Sequence, residues 1–171
     1  MTEEFNKTAV ALWRYTPRDP DLLNVRPDGS PDRSLSWGWY ALAERTLYKG
    51  AGESPRRIAG FLRLSGSDGD TGPFDRSVNI GLRAAGLWSS RPQDVLSVML
   101  AKHRLASKWQ EAERIAGRLP AGREDMIEIN YQLPLNPHFK VMPMVQWWDY
   151  PGGHQTVRHA TVVGARFFAE F

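Results

Sequence analysis

Cysteine and long apolar runs are both missing from this 171-residue sequence. Without cysteine there are no disulfide bonds, no thiol catalysis and no cysteine-ligated metal sites. Hydrophobic residues make up 42% of the chain and the mean hydropathy is −0.46, so no segment has the composition of a membrane-spanning helix. The polar start of the chain also lacks the basic and apolar regions of a secretory signal, so no export signal is predicted.

Patterns that would indicate catalysis, metal binding or nucleic acid are equally scarce. The four histidines have no His-x-x-x-His spacing, and no Gly-x-Ser-x-Gly motif supports a hydrolase. The net charge of +3 comes from Lys and Arg scattered among acidic residues rather than clustered. We therefore expect no enzyme activity, no catalytic residues, no metal, no cofactor and no nucleic-acid partner.

In its last third the sequence does contain three segments whose residues alternate between two faces, one of them apolar, and in the first segment the alternation has no fault. The segments are residues 126–133, 139–148 and 161–171. Side chains alternate faces along a strand, so each segment is predicted to be a strand with one apolar face, as a tilted transmembrane β-strand requires. The same pattern also fits the half-buried sheet of a soluble β-sandwich. The apolar positions of these strands include Ile127, Ile129, Val141, Val145, Val163 and Phe167.

Earlier segments add further predicted strands within a single domain, 1–171. Residues 16–34 contain four prolines with Asp and Gly between them and are predicted to be a loop. Residues 108–118 have apolar residues at helical spacing, which predicts one short helix in a connection. The prediction is an all-β chain of about eight strands, the first five of them at residues 8–15, 35–48, 57–65, 77–85 and 95–105.

Several short motifs, taken in order, resemble the C-terminal half of the carbohydrate-selective porin family (OprB type). Each motif is weakly specific alone, but the order and spacing match the family from near Asn6 to the end. The motifs are residues 38–48 (GWYALAERTLY), 61–63 (FLR), 80–82 (IGL), 94–101 (DVLSVMLA), 127–132 (IEINYQ), 151–153 (PGG) and 163–171 (VGARFFAEF).

The resemblance implies an antiparallel outer-membrane β-barrel of about sixteen strands that passes sugars by passive diffusion. This chain would supply about eight of them, half of the larger porin barrel. Its expected partners are the lipid bilayer, mono- or oligosaccharides, and either the missing N-terminal half or further copies of the chain. Eight strands alone would form a narrow filled barrel or leave open edges. Trp147, Tyr131 and Phe171 suit the aromatic girdles of such a barrel.

The face opposite the apolar one would then line the channel, where hydroxyl-rich sugars need donors and acceptors. Trp148, and also Trp39 or Tyr40, would suit stacking on a sugar ring. The arginines also suit charge pairing with Glu44, Glu128 and Glu170. The candidate lumen and sugar-contacting residues are Arg63, Arg83, Glu128, Asn130, Gln132, Gln146, Trp148 and Arg166.

One departure from the family pattern and two alternatives remain. At residues 142–144 this chain has Met-Pro-Met where the family tends to have polar residues around a proline, which reduces the polarity of the lumen. A soluble β-sandwich or β-barrel binding module without channel activity is the main alternative. An outer-membrane hydrolase has the least support.

Overall fold

The computed structural model of the chain describes residues 6–170, which form eight strands and two short helical segments. Seven of the strands are 11 to 19 residues long, and the first has 20. This agrees with the predicted eight strands and one loop helix. The elements are β1 (Asn6–Val25), β2 (Pro31–Lys49), β3 (Arg57–Ser67), β4 (Phe74–Ala85), β5 (Val95–Leu105), α1 (Ser107–Ile115), β6 (Arg123–Pro134), β7 (Phe139–Asp149), the 3₁₀ turn η1 (Pro151–Gly153) and β8 (His159–Ala169).

All eight strands form one antiparallel sheet in which each strand pairs with its neighbours in sequence. Within residues 6–170, no ladder joins β1 to β8, so the sheet is open. Its connections alternate in character. Those after β2, β4 and β6 lie at one end of the sheet, and those after β3, β5 and β7, which include α1 and η1, lie at the other, which we call the mouth. In the described part of the chain no helix is long and apolar enough to cross a bilayer.

The two faces of the sheet differ sharply in chemistry. The register places Ile129, Val145 and Val163 side by side on one face, the outer face, while Glu128 and Gln146 lie on the other, the inner face. The outer side chains are open: Ile127 is 47% exposed, Val163 76% and Phe167 77%. No second sheet covers them in residues 6–170. The soluble sandwich alternative therefore lacks the second layer it requires.

The predicted loop at residues 16–34 is wrong, because β1 continues to Val25 and β2 begins at Pro31, leaving a turn of five residues. The loop was predicted from the four prolines of this segment, which lie instead within strands or in the turn between them. β1 is an edge strand, where a residue without an N–H is tolerated, and irregularities in register fall between Arg14 and Arg18 and between Pro20 and Val25. The prolines indicated the end of a strand, but they interrupt only the hydrogen-bond ladder between β1 and β2.

Other local features follow the sequence closely. β2 has an irregularity, a register shift between Thr46 and Tyr48 against β3. Pro143 interrupts the β6–β7 ladder without changing its register, since it has no N–H to donate. α1 ends three residues before the predicted end of the helix at 118. Gly117, with φ of 76°, takes the left-handed conformation that closes the helix.

Candidate lumen site

Five of the eight predicted lumen residues meet on the inner face of β6, β7 and β8. Alternation on β6 places Glu128 and Asn130 on the same face, and the register sets Gln146 opposite Glu128. Trp148 lies two residues further along β7, and Arg166 reaches in from β8. We call this group of five the Glu128 cluster.

Glu128 is the centre of the cluster and only 5% exposed. Its Oε1 accepts a hydrogen bond from Asn130 Nδ2 at 2.8 Å. Its Oε2 accepts one from Gln146 Nε2 at 2.6 Å and a longer one from an Arg166 guanidinium nitrogen at 3.4 Å. A buried carboxylate is costly unless donors and a cation compensate it, and here both are present.

The hydrogen bonds also fix what the cluster can offer a ligand. Trp148 Nε1 donates to Gln146 Oε1 at 3.2 Å, so both ends of the Gln146 amide are engaged and the indole is held in place. Arg166 uses one long bond to Glu128, and its side chain is 47% exposed. Its remaining N–H groups, the amide oxygen of Asn130 and the faces of the Trp148 ring are available for a polar ligand.

The other three predicted residues lie apart from the cluster. Arg63 pairs with Glu44 at 3.0 Å and lies over the ring of Phe61, 5.1 Å from its centroid. Arg83 lines a shallow inner groove of about 100 Å³ together with Glu44 and Phe61. Gln132 lies further along β6 opposite Val95, toward the end of the sheet away from the mouth.

The arginines take the charge-pairing role considered for them in two cases. Arg63 pairs with Glu44 and Arg166 with Glu128. Glu170, however, pairs with Lys140 at 2.8 Å.

The two remaining aromatic candidates face opposite ways. Tyr40 shares a cross-strand row with Ser65 on the inner face, so it can contribute to the lumen. Trp39 lies on the outer face, with its indole against Gly66 of the neighbouring strand. The expectation that Trp39 stacks on a sugar is therefore wrong, because the register of β2 turns it away from the lumen.

Met142 and Met144 are on the inner face, as their positions between outward residues require. Met142 is opposite Arg166, and Met144 is opposite Gly164, close enough that an added Cβ on that glycine would lie 3.1 Å from the methionine. They pack beside the Glu128 cluster and make this part of the inner wall less polar.

The outer face carries an apolar band of the right height for a membrane. On β7 it runs from Phe139 to Trp147, about 27 Å along the strand. With the tilt of about 40° usual for membrane strands, this corresponds to roughly 21 Å of depth, close to the roughly 25 Å of known bands. Beyond Trp147 the cross-strand row becomes charged, with Asp125, Asp149 and His159.

Aromatic residues lie at both borders of this band. Trp147 is next to the charged row at the mouth side. Tyr131 lies toward the opposite end, stacked edge-on against Trp88 with ring centroids 5.5 Å apart, and its hydroxyl donates to Asp94 at 2.6 Å. These are the positions that aromatic girdles occupy. Phe171, the third predicted girdle residue, is outside the described residues.

At the mouth, α1 is tied to the inner side of the sheet by a buried ion pair. Lys108 Nζ lies 2.6 Å from Asp21 of β1 and 2.7 Å from Asp70 of the β3–β4 connection. Asp21 is also bonded by the hydroxyl of Ser34, an inner-face residue of β2. Burial opposes the charged form of Lys108, but its bonds to the two carboxylates dominate and raise its pKa. The helix therefore bridges strands far apart in the sheet.

A second contact holds the other end of α1. Glu113 bonds Arg118 and, at 2.6 Å, Nε2 of His154 in the β7–β8 connection. Its hydrogen bonds to Arg118 and His154 outweigh its burial and lower its pKa to about 2. The ring of Trp109 lies 5.1 Å from that of His154. The connection containing η1 is thus fastened to α1.

These contacts at the mouth were not predicted from the sequence, which indicated only a short helix in a connection. Lys108 and Asp21 are 87 residues apart, and no local pattern links them. The signal was present only as single charged residues in Pro- and Gly-rich segments. Among residues 6–170, no group of three His, Cys, Asp or Glu side chains is placed to hold a metal ion.

An antiparallel single-layer sheet with an apolar outer band and a polar inner wall defines a membrane β-barrel wall. The chain belongs to the carbohydrate-selective porin, OprB family, whose model matches residues 8–171.

Two known porins match most of the chain. Porin B of Pseudomonas aeruginosa is 21% identical over 98% of this chain and 40% of its own length. The high-pH structure of Pseudomonas putida OprB matches with a TM-score of 0.84 at 20% identity and covers 96% of this chain and 44% of that one. The chain therefore has the fold of these porins and spans about two fifths of their length.

Proposed function

We propose that this chain forms part of the wall of an outer-membrane channel for the passive diffusion of carbohydrates. The division of the sheet into an open apolar face and a polar inner face carries the proposal. A wall that meets lipid on one side and water on the other must have this division. A channel lined this way has no chemical step to catalyse, and the inner residues act by binding weakly and releasing.

The Glu128 cluster is the proposed sugar contact. A sugar loses water when it enters a narrow channel, and the free donors of Arg166 and the acceptor of Asn130 replace those hydrogen bonds. The ring of Trp148 offers a flat apolar surface to the C–H face of a sugar. Since Glu128 is only 5% exposed and already accepts from three donors, its role is to hold Arg166, Asn130 and Gln146 in place.

The open edges require further strands in the membrane. β1 and β8 each leave one row of backbone N–H and C=O groups unpaired within residues 6–170, and such groups cannot face hydrocarbon. We propose that these edges pair with an N-terminal half of the same kind of barrel or with a second copy of the chain. Because β1 and β8 run in opposite directions, either partner can continue the antiparallel order.

Two adjacent tryptophans on opposite faces provide the test. In planar bilayers we expect measurable conductance and partial block of the current by oligosaccharides. Trp148→Leu should weaken that block about 2- to 10-fold, the range for loss of an aromatic contact of about 0.5–1.5 kcal/mol. Trp147→Leu, on the outer face, should leave it unchanged. Equal effects of the two substitutions would refute the proposed sugar contact, and no conductance from the chain alone would exclude a second copy as the partner of its open edges.

A further inference from the structure

Two adjoining grooves lie on the outer face at the mouth side of the apolar band. The lower groove, of about 450 Å³, has Leu100, Ile127 and Trp147 on its floor and is also lined by Lys102, Asp125 and Asp149. The upper groove, of about 250 Å³, is bordered by basic side chains. Lys102 and Asp125 line both grooves. The basic residues of the upper groove are Arg76, Lys102, Arg104 and Arg123.

The register explains why these cations gather. Arg76, Arg104 and Arg123 form one cross-strand row over β4, β5 and β6. Lys102 belongs to the next outer row, nearer the apolar band. Successive outer positions are two residues apart, so the row of Lys102, which also contains Val78 and Asp125, separates the arginine row from the apolar row of Leu100 and Ile127.

Two of these cations are neutralised by acids and two are not. Arg104 makes paired bonds to Asp75 at 2.8 and 2.5 Å. Arg123 lies 3.4 Å from Asp125 and 3.8 Å from Asp149. Within residues 6–170, Arg76 and Lys102 have no ion-pair partner, and both are exposed. Asp125 lines the upper groove opposite Lys102 but pairs with Arg123, so the four cations exceed the three nearby acids (Asp75, Asp125 and Asp149) by one positive charge.

An unbalanced charge on the membrane side of a barrel is costly unless it reaches water or meets an anion. Arg76 and Lys102 are at the border of the band, where an anionic head group would lie. The apolar groove directly below has the volume and lining to take part of an acyl chain. The upper groove can hold an anionic head group and the lower groove an acyl chain, so the two together fit an amphiphile.

We propose that these two grooves form a binding site for a single membrane lipid with an anionic, phosphate-bearing head group. Arg76 and Lys102 bind the head group, and its acyl chain lies in the groove lined by Leu100, Ile127 and Trp147. The site is on the outside of the wall, so it is separate from the Glu128 cluster. The proposal rests on the membrane location proposed above but not on sugar transport.

Fluorescence quenching by brominated lipids tests this site, with Trp147 as the reporter. The folded chain in neutral detergent micelles is titrated with phosphatidic acid or phosphatidylcholine of the same brominated acyl chains. Trp147→Phe identifies the part of the quenching that comes from this residue. Each basic side chain near an anionic lipid surface strengthens the attraction about fivefold. With two such side chains, phosphatidic acid should quench Trp147 at a lipid fraction roughly 25-fold lower than phosphatidylcholine requires.

The matched variants are two double substitutions that each remove two positive charges. Arg76→Gln with Lys102→Gln should abolish the preference for phosphatidic acid. Arg56→Gln with Arg158→Gln, in connections at opposite ends of the sheet, should keep it. Inorganic phosphate at millimolar concentration should not displace the lipid, because it cannot use the apolar groove.

The outcomes separate this site from the membrane location itself. Equal quenching by both lipids, or loss of the preference in both double variants, would overturn the lipid site while leaving the apolar face in contact with lipid. Displacement by inorganic phosphate alone would overturn the acyl-chain part. If neither lipid quenches Trp147, the outer groove is covered by protein, for instance a second copy, and the membrane location fails with it.

Discussion

Adjacent valines on opposite faces of β8 provide a sharp test of the membrane-facing surface. Val163 is 76% exposed on the outer face, and Val162 is 43% exposed on the inner face opposite Gln146. The same substitution, Val→Arg, can therefore be made at two neighbouring positions that differ only in what they face. We expect Val163→Arg to destabilise the folded chain in lipid and Val162→Arg to have little effect.

The depth of Val163 in the bilayer determines how much Val163→Arg should destabilise the fold. It lies four residues along β8 from His159, the row where charged residues replace apolar ones. Four residues span about 14 Å, or about 10 Å of depth at a tilt of about 40°. This is near the middle of a band about 25 Å high, where an arginine costs about 2–4 kcal/mol. The folding equilibrium should change by a factor of roughly 30 to 700.

Reversible urea unfolding in phospholipid vesicles, followed by tryptophan fluorescence, measures this cost. With a slope near 2 kcal/mol/M, the midpoint for Val163→Arg should fall by about 1–2 M. Val162→Arg projects into water and should stay within about 0.5 kcal/mol of the unsubstituted chain. Coincident midpoints for the two variants would show that the outer face meets water, which would contradict a membrane-facing band.

Three further predictions concern the mouth. Lys108→Met should leave buried Asp21 without its cation, a loss of about 1–3 kcal/mol because Asp21 keeps its hydrogen bonds from Leu23, Asn24 and Ser34, and limited proteolysis should then cut the α1 region faster. Because the pKa of Glu113 is lowered to about 2, its contribution to the stability of the fold is complete above about pH 4.5 and is lost as the pH falls to about 2. The near-UV circular dichroism of the α1 region should therefore change in that window, and Glu113→Gln should remove the change. Gly153→Ala should loosen the same contact, since an added Cβ would lie 2.6 Å from Leu105 at a φ of 73°; unchanged proteolysis would contradict the packing.

The strands could be predicted because strand formation here follows from a local pattern. In β8, the two sides of the predicted alternation differ in character, and the strand runs from His159 to Ala169 with Val163 and Phe167 on the outer face and Arg166 on the inner face. The face of each residue follows from the same alternation. The failure at residues 16–34 has a physical reason as well. Proline normally ends a strand, but an edge strand with one unpaired side tolerates it.

The gathering of the lumen residues could be predicted only in part. Alternation placed Glu128, Gln146 and Arg166 on one face, but which of them touch depends on the register between β6, β7 and β8. That register is set by the turns and by cross-strand packing, which no single segment encodes. The ion pair between Lys108 and Asp21 could not be predicted from the sequence either, because it depends on how the four strands between them curve.

Spin labelling along β8 tests the central division of faces most directly. The natural chain has no cysteine, so single cysteines at positions 159–169 can each be labelled without background. In bilayers we expect collision with oxygen, which concentrates in lipid, to peak at 161, 163, 165 and 167, and collision with a water-soluble nickel complex to peak at the positions between them. A flat profile, or oxygen maxima at the even positions, would contradict a wall that faces lipid on one side and water on the other.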